Sequence, residues 1–217
     1  MIIGINGKIG VGKDTVGEII QKLCATNNGP EFEIKKFAGK LKQIASLLTG
    51  IPVEKFEDQE FKKTLLGPEW GTIKENPLNS IPVFENVNFL HMMSVRELLQ
   101  KLGTEAMRDG LHENVWVNAL FSDYVPVVKE WDEFGNDTLV EYPSWCITDM
   151  RFPNEMEAVV AKGGITIRVV RQGTVTGTHP SETALDDAEF DYEIINDGTI
   201  EDLVEKVRAI LITENII

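Results

Sequence analysis

The sequence predicts an α/β protein of three layers, α/β/α, built on a mostly parallel sheet of about five strands, with a hairpin projecting from it. Three observations carry this reading. Short apolar runs and helix-period runs alternate along the chain. A glycine-rich loop stands between the first apolar run and the first helix, the place where α/β sheets bind ligands. The stretch 165–170, Ile-Thr-Ile-Arg-Val-Val, lacks clean alternation, as a strand buried on both faces does.

Ile2-Ile3-Gly4-Ile5 opens the chain as a strand. Gly7-Lys8-Ile9-Gly10-Val11-Gly12-Lys13-Asp14-Thr15 follows and meets the spacing Gly-x-x-x-x-Gly-Lys of a phosphate-binding loop through Gly7, Gly12 and Lys13. Glycines let the backbone turn several N–H groups onto one anion, and the positive end of the next helix faces the same point. Lys13 supplies charge to the β- and γ-phosphates in this reading. Asp14 stands where a Ser or Thr usually holds magnesium, and the hydroxyl comes one place later, at Thr15. The alternative is an ordinary glycine-rich turn.

Residues 13–26 read as the first helix, with Val16, Ile19, Ile20 and Leu23 on one face. Asn27-Asn28-Gly29-Pro30 ends it, and 32–37 suggests the second strand. Leu41, Ile44, Ala45 and Leu48 mark the inner face of a second helix, closed by Gly50-Ile51-Pro52. Lys36, Lys40 and Lys42 crowd the strand-to-helix junction, either as ligand-binding cations or as a solvated helix start. Residues 54–66 predict a short helix and 67–82 a loop with three prolines. The whole of 53–90 reads as a mobile insertion over the sheet edge, a substrate cover.

Ser94 with Glu97 makes a capping box ahead of the apolar stripe Val95, Leu98, Leu99 and Leu102. A helix over 113–124 turns Val117, Leu120 and Phe121 inward, and 127–142 reads as the hairpin, turning at Gly135-Asn136. Residues 145–149 form a short strand ending in an acid. Pro153 then starts a helix that runs to Lys162 and stops at Gly163-Gly164. Residues 172–185 are polar and loop-like, and 192–195 are the last strand, turned by Asn196-Asp197-Gly198. Thr199 caps a final helix whose Leu203, Val204, Val207, Ile210 and Leu211 face inward.

A chain of 217 residues fits a single domain, 1–217, carrying insertions at 53–90 and 127–142. The net charge of −14 argues against nucleic-acid polymers, whose binding runs on clustered Lys and Arg. A small nucleotide needs only a local basic pocket, so the few placed cations become informative. Cys24 and Cys146 form no metal-spacing motif and read as buried free thiols of a reducing cytoplasm. No signal peptide or membrane span is expected from the apolar runs.

A phosphate loop names a ligand, and a second constellation narrows the reaction. Asp149 ends a strand where an acid reaches loop-bound magnesium and phosphates; Arg151 lies two residues on, and Glu155 one helical turn later. A metal-directed carboxylate, a phosphate-gripping guanidinium and a second acid suit phosphoryl transfer, whose catalysis is mostly positioning and charge neutralisation. The alternative is a salt-bridge cluster capping a helix.

The chain resembles the bacteriophage deoxynucleoside monophosphate kinases, relatives of the nucleoside monophosphate kinases among the P-loop kinases. The resemblance rests on Gly12-Lys13-Asp14-Thr15, Leu41-Lys42, Ser94-Val95-Arg96 with Leu102-Gly103-Thr104, and Trp116-Val117. It continues through Asp149-Met150-Arg151 with Glu155-Met156, Val169-Val170-Arg171, Thr178-His179 with Glu182, and Asn196-Asp197-Gly198. It implies a P-loop kinase-like fold, and transfer of the ATP γ-phosphoryl group, with Mg²⁺, to the 5′-phosphate of a deoxynucleotide. Gly10, Gly12, Lys13, Asp14 and Thr15 would hold the ATP phosphates, with Thr15 sharing the metal contact. Lys13, Asp149 and Arg151 would serve the transfer; Asp149, Arg151, Glu155, Lys42, Arg96 and Trp116 would bind the acceptor. Trp116 could stack on its base and Arg96 grip its phosphate. Arg171 reads as a cation over the adenine of ATP or, equally, as a strand-end surface charge. The resemblance also implies a cytoplasmic protein, in the host where a phage encodes it, and allows a homodimer. Two other readings share the loop: a kinase for another small phosphorylated acceptor such as phosphomevalonate, and a non-catalytic nucleotide-binding module.

Overall fold

A computed structural model of the chain describes residues 1–75, 88–131, 137–173 and 179–217. The chain divides into two compact units, Met1–Gly39 with Trp116–Ile217, and Lys40–Val115.

The first unit holds a five-stranded sheet of β1 (Ile2–Asn6), β2 (Phe32–Lys35), β7 (Ser144–Ile147), β8 (Ile165–Val170) and β9 (Tyr192–Ile195), in the order β2-β7-β1-β8-β9. Every neighbouring pair is parallel, in agreement with the sequence reading. Ile3 pairs with Cys146 on one side and Ile165 on the other, which puts β1 in the centre. Parallel neighbours need crossovers, and helices α1 (Lys13–Thr26) and α5 (Pro153–Ala161) belong to them, while α7 (Ile200–Thr213) follows the last strand and packs back on the sheet.

Alternation within the strands sorts the core. Ile3, Ile5, Cys146, Ile167, Val169 and Ile194 pack with Val16, Ile20 and Leu23 of α1 and with Leu203, Val207 and Leu211 of α7. The residues between them face the other way: a Cβ on Gly4 would meet Met150 Sδ at 3.0 Å and Val159 of α5 at 3.3 Å. Trp145 turns to that side too, beside Phe121 of α4 (Val115–Phe121), with ring centroids 6.2 Å apart. A fully buried aliphatic side chain contributes about 1.5–3 kcal/mol, so these two apolar layers are what hold β1 and its loop in place. Cys24 and Cys146 are buried and free, and burial pushes both thiols up.

Strands β5 (Val127–Trp131) and β6 (Asp137–Glu141) form an antiparallel pair, the hairpin expected over 127–142. Its turn, 132–136, including Gly135-Asn136, lies outside the described residues.

The second unit has its own core of Ala45, Phe56, Leu66, Val95 and Leu98. Helix α2 (Ala38–Thr49) leads into it; Leu48, expected inward, is 54% exposed, because Ala45 occupies the core side at that end. The short helix expected over 54–66 is instead two 3₁₀ helices, Val53–Glu57 and Phe61–Lys63, separated where the Asp58 carboxylate accepts from Glu60 and Phe61 N–H. The expected loop from residue 67 onward contains a 3₁₀ helix, Pro68–Trp70, and strand β3 (Thr72–Glu75), which pairs antiparallel with β4 (Asn88–His91). Residues 76–87 of that stretch lie outside the described residues.

Ser94 caps α3 (Val95–Gln100) by accepting from Glu97 N–H at 3.1 Å, and the helix continues as a π-helix over Lys101–Asp109. The helix expected over 113–124 is shorter, Val115–Phe121, because the His112 ring and carbonyl take the N–H groups of Asn114 and Val115. Among the described residues no helix is long and apolar enough to cross a membrane.

Candidate active site

The loop after β1 is shaped by glycines and braced from the turn after the edge strand β9. Gly12 sits at φ 99° as the N-cap of α1, a left-handed conformation that L side chains rarely adopt, and no side chain caps that helix. Its backbone N–H groups therefore face the loop rather than a capping oxygen. Asn196, in the turn after β9, donates Nδ2–H to Val11 O at 2.8 Å, while its own N–H donates to Val170 O at 2.7 Å. A Cβ on Gly12 would lie 2.8 Å from that Asn196 Nδ2, so brace and glycine fit each other. Lys13 Nζ donates to Gly7 O and Lys8 O, each at 2.7 Å.

The end of β7 runs alongside. Met150 N–H donates to Ile5 O at 3.2 Å, and Asn6 Nδ2 donates to Met150 O at 2.9 Å, which fixes 148–151 next to the loop. The buried Thr148 hydroxyl donates to Asp14 Oδ1 at 2.5 Å, and Lys36 Nζ lies 3.2 Å from the same oxygen. Partial burial alone would raise the Asp14 carboxyl; the Thr148 hydroxyl, Lys36 and Lys13 outweigh it and hold the group below the usual carboxylate range.

Asp149 accepts from Phe37 N–H at 2.7 Å and Ala38 N–H at 3.0 Å, one oxygen each, and so caps the start of α2. Glu155, only 3% exposed, accepts from Arg151 N–H at 2.7 Å and Phe152 N–H at 3.1 Å, capping α5. The Arg151 guanidinium donates to the Glu182 carboxylate and, at 3.3 Å, to Ser181 O. Burial and the nearby Arg151 push Lys13 down to about 8, against the opposite pull of Glu182, Asp14 and Asp149. Lys13 and Arg151 thus share one neighbourhood with Glu182, Asp14 and Asp149 at the mouth of the loop.

Of the residues singled out from sequence, Gly10, Gly12, Lys13, Asp14, Thr15, Asp149, Arg151 and Glu155 all belong to the first unit. Trp116 belongs there too, and its side chain is buried, 5% exposed. Arg171 follows β8 and is exposed. Lys42 and Arg96 belong to the second unit: Lys42 Nζ pairs with Glu57 at 2.6 Å, and Arg96 donates to Gln59 Oε1 at 2.9 Å. His179 caps a short helix, α6 (Pro180–Thr183), within the stretch read as loop; Thr178 lies outside the described residues.

Sequence reasoning passed over Thr148, Asn6, Lys8 and Asp186, and gave Asn196 and Glu182 no task. The adjacency of Thr148 to the strand-end Asp149 was the only signal for it; Asn6, Lys8 and Asp186 work through contacts distant in sequence. Among the described residues no cluster of His, Cys, Asp and Glu could hold a metal by itself. The donors present, the Thr15 hydroxyl and an Asp14 already engaged by Thr148 and Lys36, fit a cation carried in on a polyphosphate.

A glycine loop between a central parallel strand and an uncapped helix, with its lysine in place, defines an α/β protein of the P-loop class. The family described as deoxynucleotide monophosphate kinase matches residues 71–207, more than half of the chain. The chain belongs to that family. It is 35% identical over 119 residues to the deoxynucleotide monophosphate kinase of Escherichia phage RB69, covering 54% of this chain and 45% of that protein. To the enzyme of the same name in Enterobacteria phage T4 it is 30% identical over 156 residues, covering 63% and 61%. The deoxynucleoside-5′-monophosphate kinase of Escherichia phage T5 aligns at 23% identity over 240 positions, covering 90% and 89%. The matched part of the first two relatives is thus less than two thirds of their length. Among solved structures, shikimate kinase from Aquifex aeolicus superimposes with a TM-score of 0.40 at 10% identity, covering 99% of this chain and 98% of that one.

Proposed function

We propose that the chain transfers the γ-phosphoryl group of ATP to the 5′-phosphate of a deoxynucleoside monophosphate, giving ADP and the deoxynucleoside diphosphate. The observation that carries this is the braced phosphate loop with Arg151 beside Lys13. That loop lies outside the stretch matched to the family, so loop geometry and family membership support the reading independently.

The loop N–H groups at Gly10 and Gly12 and the start of α1 bind the ATP phosphates, and Lys13 leaves its carbonyl partners to neutralise the β- and γ-phosphates. Arg151 presents a fork to the transferred phosphoryl group and the acceptor phosphate, where charge is greatest. Magnesium, arriving with the nucleotide, would meet the Thr15 hydroxyl and supply further charge neutralisation. Asp149 contributes by fixing the start of α2 and by its charge near Lys13, and Glu155 by fixing the backbone of Arg151. Lys42, Arg96 and Trp116 are proposed acceptor ligands on the family resemblance, Arg171 an adenine contact, and 53–90 a substrate cover. A protein of the host cytoplasm is the setting in which this activity makes sense.

The test is ADP release from ATP with a panel of deoxynucleoside monophosphates. Lys13→Met is expected to lower turnover by about 100-fold or more, the scale of losing one preorganised charge-stabilising group.

A further inference from the structure

The stretch 179–186 is held against the phosphate loop from two directions. Lys8 Nζ pairs with the Asp186 carboxylate and donates to Glu182 O, which ties the stretch to the loop. Arg168 of β8 donates to Asp186 O at 3.1 Å and to Leu185 O, which ties it to the sheet. At its start the His179 ring lies 2.8 Å from Ser181 Oγ and accepts from Ser181 N–H at 3.2 Å, with Pro180 setting the first helical position. These contacts make the stretch a fixed support. It carries one acidic side chain inward: the Glu182 side chain is 9% exposed and pairs with Arg151, whose own side chain is 32% exposed.

We propose that Glu182 is a positioning residue for phosphoryl transfer, holding the Arg151 guanidinium at the mouth of the phosphate loop. Arg151 is then anchored at both ends, its backbone N–H by Glu155 and its guanidinium by Glu182 with Ser181 O. The arrangement answers a physical problem. A second cation beside Lys13 is repelled by it, and a flexible arginine in that position would turn toward water. A part-buried carboxylate bonded to Nη1 holds the guanidinium in one orientation and lowers the repulsion between the two cations. The same acid pulls Lys13 upward while Arg151 pulls it down, as this geometry requires. The inference rests on the kinase reading for its consequence and on Arg151 alone for its structural content.

The test has two independent readouts on the full chain. In ¹⁵N-detected spectra the Arg151 Nε–H signal, assigned by its loss in Arg151→Lys, is expected to be rigid in the parent protein. In Glu182→Gln it should become mobile while the backbone amide spectrum stays that of the folded parent. Turnover in Glu182→Gln should fall about 10- to 100-fold with KM for ATP nearly unchanged, the scale of a hydrogen bond to a charged group. Glu182→Asp should recover part of this, and Glu182→Gln should add nothing to Arg151→Ala. An Arg151 signal equally rigid in Glu182→Gln, or losses that add in the double variant, would overturn the proposal. If no monophosphate supports turnover by the parent protein, the kinase reading fails, and the spectra alone decide whether Glu182 positions Arg151.

Discussion

Lys13 is the loop residue whose chemistry is most plainly changed by its surroundings. Half-buried and beside Arg151, its ammonium is pushed down from the ordinary 10.5 to about 8. In the window between those values the unfolded chain binds more protons, so stability rises with pH there; what is lost as pH passes about 8 is the charge that, in the proposed function, holds phosphate. ATP affinity is therefore expected to weaken as pH rises from 7 to 9, and calorimetric titration should find this dependence flattened in Lys13→Met. Asp14 is governed by its neighbours in the same way. Thr148→Val removes the buried hydroxyl that donates to it and is expected to cost about 1 kcal/mol in urea unfolding, with weaker use of magnesium-ATP. A Thr148→Val protein with unchanged ATP kinetics across magnesium concentrations would mean that Asp14 does not act through its carboxylate.

Between elements, the phosphate loop depends on the turn after β9 as much as on its own glycines. Asn196→Ala removes the Nδ2–H···O bond to Val11 and should lower stability by about 1 kcal/mol while weakening ATP binding several-fold. Equal ATP affinity in the variant would show that the loop holds its shape unaided. What was legible in the sequence follows this division. The strands, α1 and α7 could be read because the apolar period is intact, and Ser94 and Thr199 mark their helices by capping, both seen in the structure. The 3₁₀ helices near Phe56 and the π-helix after Gln100 have no periodic signature, so the text there predicted a plain helix or loop. Glycines and Lys13 announced the loop through local spacing. Asn196, Lys8 and Glu182 stayed silent because their partners lie 185, 178 and 31 residues away.

Across the whole molecule, a chain of net charge −14 sets Lys8, Lys13, Lys36 and Arg151 around the loop of the first unit, with Asp186, Asp14 and Glu182 as the partners of Lys8, Lys36 and Arg151. Such placement suits a small polyphosphate. The proposed function takes its class of acceptor from the family and joins that acceptor to the loop. The most direct measurement is ADP release from ATP with each deoxynucleoside 5′-monophosphate in turn, beside the matching ribonucleotides. The expected result is ADP formation that depends on one or more of the deoxynucleotides and is lost in Lys13→Met. A protein that binds ATP yet releases no ADP above background with any of them would contradict the account.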